Sequence, residues 1–284
     1  MLPLAELTMD IELHCHSWHS RQRKVTWEGT APPAALVRAA AAKGLGAIAL
    51  TDHDSVAGWA EAAAEARRLG LLFIPGEEVT TERGHIVGLG LSELVPPKLS
   101  VAETVDRIHA QGGVAIASHP FDIKGDGVRH EARRADAIEV FNSLNLDRFA
   151  NRVAKRKAAA WGLPAVAASD AHLPEAIGLC RNRIAADGLE GVLRAIKKGR
   201  VEFEASYIPT PLLMQWVQER LSKSYADVST YVHARYSGPK AWLATTLLQK
   251  YVAATGRMPW WNLLARFGLT CARGYGAVHA VRYY

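Results

Sequence analysis

The sequence predicts an α/β fold in which short strands alternate with helices around a closed or nearly closed barrel. Three observations predict it. Short β-branched or apolar runs recur through the first 200 residues, Ala-rich stretches of helical length separate them, and histidines and carboxylates gather where the runs stop. The runs are Ile11 to His16, Ala47 to Thr51, Leu72 to Ile74, His85 to Gly90, Val114 to Ser118, Ala137 to Phe141 and Ala165 to Ser169. Between them, Ser55 is expected to cap a helix that runs to Leu69 and stops at Gly70, and Ser100 with Glu103 forms a capping box. Seven strands, each followed by a helix or a long loop, describe a β/α barrel.

The chain has 284 residues and is 49% apolar, enough for one large barrel with a small appendage. Its apolar stretch from Ala241 to Ala254 is interrupted by Lys250, so no membrane span or membrane partner is expected. Met1 to Thr8 lacks the basic start of an export signal. Cys15, Cys180 and Cys271 have no paired spacing, which fits a reducing, cytoplasmic setting. The net charge of +6 is concentrated after Glu204, where 9 Lys/Arg face 2 Asp/Glu and 13 of the 22 aromatic residues fall. Residues 9–204 are therefore assigned to the barrel and 205–284 to a basic, aromatic-rich, mainly helical extension. It opens on a linker from Tyr207 to Pro211, with helices expected at Leu212 to Leu221 and Pro239 to Ala254.

Strand alternation sends His14 and His16 to one face and Cys15 to the other, giving a His-x-His pair of metal ligands. Further groups stand at strand ends: Asp52-His53-Asp54, Glu77-Glu78, His85, His119 and Asp170-Ala171-His172. Parallel barrel strands converge at one mouth, and so many imidazoles and carboxylates crowded there call for a cation.

The ordered set His14-x-His16, Leu50-Thr51-Asp52-His53-Asp54, Pro75-Gly76-x-Glu78-Val79-Thr80, His85-Ile86-Val87-Gly88, Ser118-His119-Pro120, Val140-Phe141-Asn142-Ser143 and Ser169-Asp170-Ala171-His172 resembles the polymerase and histidinol phosphatase (PHP) family. The match runs from about Asp10 to Phe203. The resemblance implies a distorted seven-stranded β/α barrel with two or three divalent ions, manganese, iron or zinc, that hydrolyses phosphate esters. It implies that His14, His16, Glu78 and Asp170 hold one ion, and that Glu78, His85 and His119 hold a second, with Glu78 bridging. A third position would use His53, His172 and a residue of the loop after the first strand.

That loop, Ser17-Trp18-His19-Ser20-Arg21-Gln22, contains no acid, so two firmly held ions and a weak third are expected, with His19 read as a solvated loop residue. Spacing selects Glu78 over Glu77 as the bridge, and Asp52 and Asp54 are read as supporting groups or helix caps. Paired cations would generate a bridging hydroxide able to attack phosphorus in line. His53 or His172 could then donate a proton to the leaving oxygen. Of the cations Arg21, Arg23, Lys24 and Arg129, Arg21 and Arg129 are the candidates for holding substrate phosphate. His109, His130, His233, His279 and Cys15 are read as ordinary surface or core residues.

The function expected is hydrolysis of phosphate mono- or diesters on small phosphorylated metabolites or nucleotides. The alternative is a degenerate barrel that binds short single-stranded nucleic acid through the extension. Against it, Trp216, Trp242, Trp260 and Trp261 are read as burying helices against the barrel. Hydrolysis of a C–N bond is a third reading, which the Thr-Asp-His-Asp and Ser-Asp-Ala-His segments disfavour.

Overall fold

The computed structural model describes residues 8–21, 26–253 and 259–281. In chain order the elements are β1 (Thr8–Glu12), α1 (Pro33–Ala42), β2 (Ala47–Leu50), α2 (Trp59–Leu69), β3 (Leu72–Thr81), β4 (Gly84–Leu89), α3 (Val101–Ala110), β5 (Val114–Ala117), β6 (Ala137–Asn142), α4 (Phe149–Trp161), β7 (Ala165–Ala168), β8 (Cys180–Ala185), α5 (Leu189–Lys197), β9 (Glu202–Ala205), α6 (Thr210–Lys223), α7 (Tyr225–Arg235), α8 (Gly238–Ala253) and α9 (Pro259–Ala280). The strands form one nearly closed sheet in the order β7-β6-β5-β4-β3-β2-β1-β8-β9.

The seven expected strands correspond to β1 through β7, and the sheet adds two more. β8 and β9 are antiparallel additions beside β1, and the alternating exposure of Cys-Arg-Asn-Arg-Ile-Ala in β8 hides it from a search for fully apolar runs. The barrel is not wholly parallel either, because β4 runs antiparallel to both β3 and β5. β3 is longer than expected and carries Glu77 and Glu78 within its ladder, while His85, near the start of β4, pairs with Thr80 at the same rim.

The ladder of β1 stops at Glu12, short of His16, but the run beyond it closes the barrel at the rim. Cys15 bridges Ala171 in parallel, with His16 N donating to Ala171 O at 2.8 Å. Farther from the rim, β8 fills the gap between β1 and β7. The buried Asn182 side chain accepts from Ala167 N at 2.9 Å and donates to Ala167 O at 2.7 Å.

Alternation sorts the core. Ile11, Ala47, Ala49, Ile74, Val87 and Ile116 cluster together, while Ile48 and Leu50 pack with Leu36, Val37 and Ala40 of α1 and Ala62 and Ala66 of α2. Gly70 ends α2 in the left-handed region, and the Ser100–Glu103 capping box starts α3. Ser55 does not cap α2, whose N-cap is Gly58; its hydroxyl instead accepts from Ala57 N.

In the extension, Leu213 and Trp216 of α6 are buried with Leu36 and Leu173. The packed-helix reading holds for Trp216 and fails for Trp242, which is 68% exposed on α8; the side chains of Trp260 and Trp261 lie outside the described set. No described helix is long and apolar enough to cross a membrane.

Candidate metal centre

Glu78 is the hub of the barrel mouth. Its Oε2 lies 3.2 Å from His14 Nε2, 3.2 Å from His16 Nε2 and 3.3 Å from His53 Nε2. Its Oε1 lies 3.0 Å from His119 Nε2 and 3.4 Å from His85 Nδ1. Asp170 Oδ1 stands 3.3 Å from His16 Nε2 and 3.7 Å from His14 Nε2. Three groups of potential ligand atoms result: His14, His16 and Glu78; His16, Asp170 and His172; and His53, Glu78 and His85. His119 and Asp170 hold left-handed backbones, with φ of 29° and 50°, a conformation that costs free energy in non-glycine residues and aims both side chains inward.

A supporting shell fixes the rings. Glu139 Oε1 lies 2.6 Å from His14 Nδ1, and its Oε2 accepts from the backbone N–H of His119 at 2.9 Å. His16 Nδ1 bonds Ser20 Oγ at 2.8 Å, and that hydroxyl in turn bonds Asp52 Oδ1. His172 Nδ1 donates to Asp170 O at 2.7 Å. These contacts occupy the Nδ1 atoms and turn the Nε2 atoms of His14, His16 and His172 to the cluster. Glu139 escaped the sequence reading because a carboxylate inside an apolar strand matches no ligand motif.

The main correction concerns the third position. The loop through Gln22 has no acid, but Glu28, 5% exposed, reaches the cluster from farther along, with Oε2 3.1 Å from His53 Nε2 and Oε1 3.6 Å from His172 Nε2. The expected weakness of this position therefore loses its basis. A signal existed in the sequence, since Glu28 is the sole acid between Glu12 and Asp52.

Burial opposes every charge here, yet the groups hold one another ionised. Against desolvation, Glu78, Glu139 and Asp170 raise His14 well above the ordinary imidazole value. The same opposition lifts His53 to about 10, through Glu78 and Glu28, and His119 to about 9, through Glu78. Glu78, Asp170 and Glu28 are held well below the carboxylate range by the histidines around them, despite burial. Burial, with His16 nearby, pushes His172 down, so its ring favours the neutral form that coordinates metals. The buried ring nitrogens His85 Nδ1 and His172 Nε2 make no hydrogen bond, and a cation would satisfy both. Imidazole and carboxylate donors of this kind suit manganese, iron or zinc.

Other candidates sit elsewhere. Arg21 is exposed and lays its guanidinium on the Trp27 ring, 3.6 Å from its centre, and Arg129 faces Asp122 at 3.8 Å. Neither lines the cleft. Gln22, Arg23 and Lys24 lie outside the described residues. The His19 ring accepts from the Trp18 indole, away from the cluster. Glu77 turns its Oε2 to Val95 N, and Asp54 Oδ1 accepts from Thr80 N. Cys15 donates to Ala49 O behind the site, and His109 pairs with Asp136. The cleft, with a volume of about 250 Å³, is bordered by Lys124, Leu144, Leu146, Leu213, Trp216 and Arg220 beside the cluster.

Comparison with known proteins places this geometry in context. The PHP domain matches residues 12–123 and the PHP-associated region matches residues 148–201. An uncharacterized protein of Methanocaldococcus jannaschii is 35% identical over 156 residues, covering 52% of this chain and 91% of that protein. A 3',5'-nucleoside bisphosphate phosphatase of Chromobacterium violaceum is 42% identical over 91 residues, spanning 31% of this chain and 30% of that enzyme. Among solved structures, a Bacteroides vulgatus two-domain protein containing a predicted PHP-like metal-dependent phosphoesterase superposes with a TM-score of 0.59 at 20% identity, over 77% of this chain and 72% of that one.

Proposed function

This chain belongs to the PHP family, and on that premise we propose that it is a metal-dependent hydrolase of phosphate esters, acting on small phosphorylated metabolites or nucleotides. The observation that carries the reading is the division of the Glu78 carboxylate, one oxygen among His14, His16 and His53 and the other between His85 and His119. His14, His16, Glu78 and Asp170 would hold one divalent ion, manganese, iron or zinc, and Glu78, His85 and His119 a second. Glu28, His53 and His172 would hold a third. When bound, such ions supply an activated water as nucleophile and neutralise charge gathering on the phosphoryl group.

The chain's own residues would do the rest. His53 and His172 border the cleft. His53, held protonated by Glu78 and Glu28, would serve as proton donor to the leaving oxygen whenever it is not engaged as a ligand. His172, neutral and with Nδ1–H given to Asp170 O, could take that role only after gaining a proton. Lys124 and Arg220 also border it and are better placed to receive phosphate than Arg21 or Arg129. Leu144, Leu146, Leu213 and Trp216 wall a small cleft, which supports a compact substrate or a single terminal nucleotide. The barrel is assigned to residues 9–204 and the extension to 205–284, the latter contributing Leu213, Trp216 and Arg220 to the cleft.

The rival, a degenerate barrel devoted to nucleic-acid binding, finds less support because this barrel keeps its full complement of imidazoles and carboxylates. Hydrolysis of a chromogenic phosphate ester with added manganese, iron or zinc tests the proposal. Turnover well above a His14→Ala, His16→Ala control is expected. Equal rates with every metal would reject it, and salt-sensitive binding of short single strands without hydrolysis would favour the rival.

A further inference from the structure

We propose that α6 of the extension is the positioning element for the third cation site, holding the segment that carries Glu28 against the barrel mouth. The inference rests on the metal-centre reading above and goes beyond it, because the family match ends at residue 201 and α6 begins at Thr210.

The segment 26–30 has no regular secondary structure, so its backbone groups need partners from elsewhere. The barrel side takes N–H groups: Glu28 N donates to Ser20 O at 3.2 Å and Thr30 N to His172 O at 2.9 Å. Carbonyls are taken by α6. Trp216 Nε1 donates to Glu28 O at 2.8 Å, Arg220 Nε donates to Trp27 O at 2.8 Å, and Lys223 Nζ donates to Thr30 O. Positions 216, 220 and 223 follow the i, i+4, i+7 spacing of one helical face, so a single edge of α6 reads three carbonyls of the 26–30 segment. Ser224 Oγ accepts from Trp27 N at 3.0 Å, and Asp227 on α7 accepts from Thr26 Oγ1 at 2.6 Å.

The same face touches the site directly. The Trp216 ring packs on the His172 ring with centres 4.6 Å apart, and Arg220 Nη2 lies 3.9 Å from Glu28 Oε1. One helix thus fixes both the carboxylate and an imidazole of the third position. Loosening α6 should therefore weaken one ion selectively.

The test is metal content of the full-length protein after dialysis against graded chelator, with thermal unfolding recorded alongside. Three ions are expected for the natural sequence and two for Glu28→Gln. Trp216→Phe keeps a ring on His172 and removes the donor to Glu28, and the milder Lys223→Met, which removes the α6 donor to Thr30 O, guards against a variant that does not fold. In these, third-ion affinity should fall about 10- to 100-fold, the range for groups that orient a ligand, while the other two ions stay. The proposal is overturned if these variants retain the third ion as the natural chain does, if Glu28→Gln still holds three, or if the natural chain holds only two. Loss of all ions from the natural chain would instead count against the metal-centre reading itself, whatever α6 does.

Discussion

Glu77 and Glu78 are neighbours on β3, yet their carboxylates lie on opposite sides of the sheet: Glu78 Oε1 is 3.0 Å from His119 Nε2, and Glu77 Oε2 accepts from the backbone N–H of Val95 at 2.8 Å. Glu78→Gln should therefore abolish retention of the paired ions and lower phosphoesterase turnover by at least about 100-fold, since it removes the anionic charge shared by two cations. Glu77→Gln should keep both within a few-fold. Metal analysis and initial rates on the two variants decide it, and equal damage would overturn the assignment of the bridge.

Glu77 should also leave a mark on stability. Burial raises its carboxyl from the ordinary value of 4.5 to about 7, so between those values the folded chain keeps a proton that the unfolded chain gives up. The contribution is complete below pH 4.5 and is lost as pH rises through 7. Glu77→Gln keeps a carbonyl for Val95 N and removes the titration. Unfolding at pH 8 should show the variant more stable by about 1–3 kcal/mol, with the difference shrinking towards pH 4.5. A constant difference across that range would exclude Glu77 as its source.

The division between legible and hidden features follows the range of the forces involved. Strands β2, β5 and β7 were legible because burial on both faces makes them apolar along their length, and His14, His16, His53, His85, His119, Asp170 and His172 stood out because polar groups interrupt such runs at strand ends. β8 was not legible, since one face meets solvent and its arginines break the run. Glu28 was hidden for a different reason. Its place depends on hydrogen bonds from Trp216 and on a backbone contact with Ser20, partners that only the folded chain brings together. Glu139 was likewise invisible until β6 was set beside the mouth.

Glu139 supplies the next prediction. Its carboxylate joins His14 Nδ1 to the backbone N–H of His119, so it sets the orientation of ligands in both proposed sites of the pair. Glu139→Gln should lower metal affinity about 10- to 100-fold without removing a ligand. Excess metal should then restore much of the activity, a rescue that Glu78→Gln should not show. Chelator titration followed by rate measurement at saturating metal separates the two.

The last prediction concerns Gly29, the residue after Glu28. A Cβ built there would lie 2.1 Å from Ser17 O and 2.6 Å from His16 O, both backbone atoms of the run that carries the His-x-His pair. Neither can swing aside as a flexible side chain would, so an added methyl must push the 26–30 segment away from the barrel. Glu28 would move with it, breaking the contacts to His53 and His172, while α6 would lose the register in which it takes three carbonyls. Gly29→Ala should therefore cost on the order of 2–4 kcal/mol and empty the third position before the other two. Gly268→Ala is the matched control, because nothing lies within 4 Å of its Cβ on α9 and alanine is the better helix former. Thermal unfolding and metal content measured on both variants give the answer. A Gly29→Ala protein as stable as the Gly268→Ala control, with its third ion retained, would show that the close approach of this segment to the first strand does not set the position of Glu28.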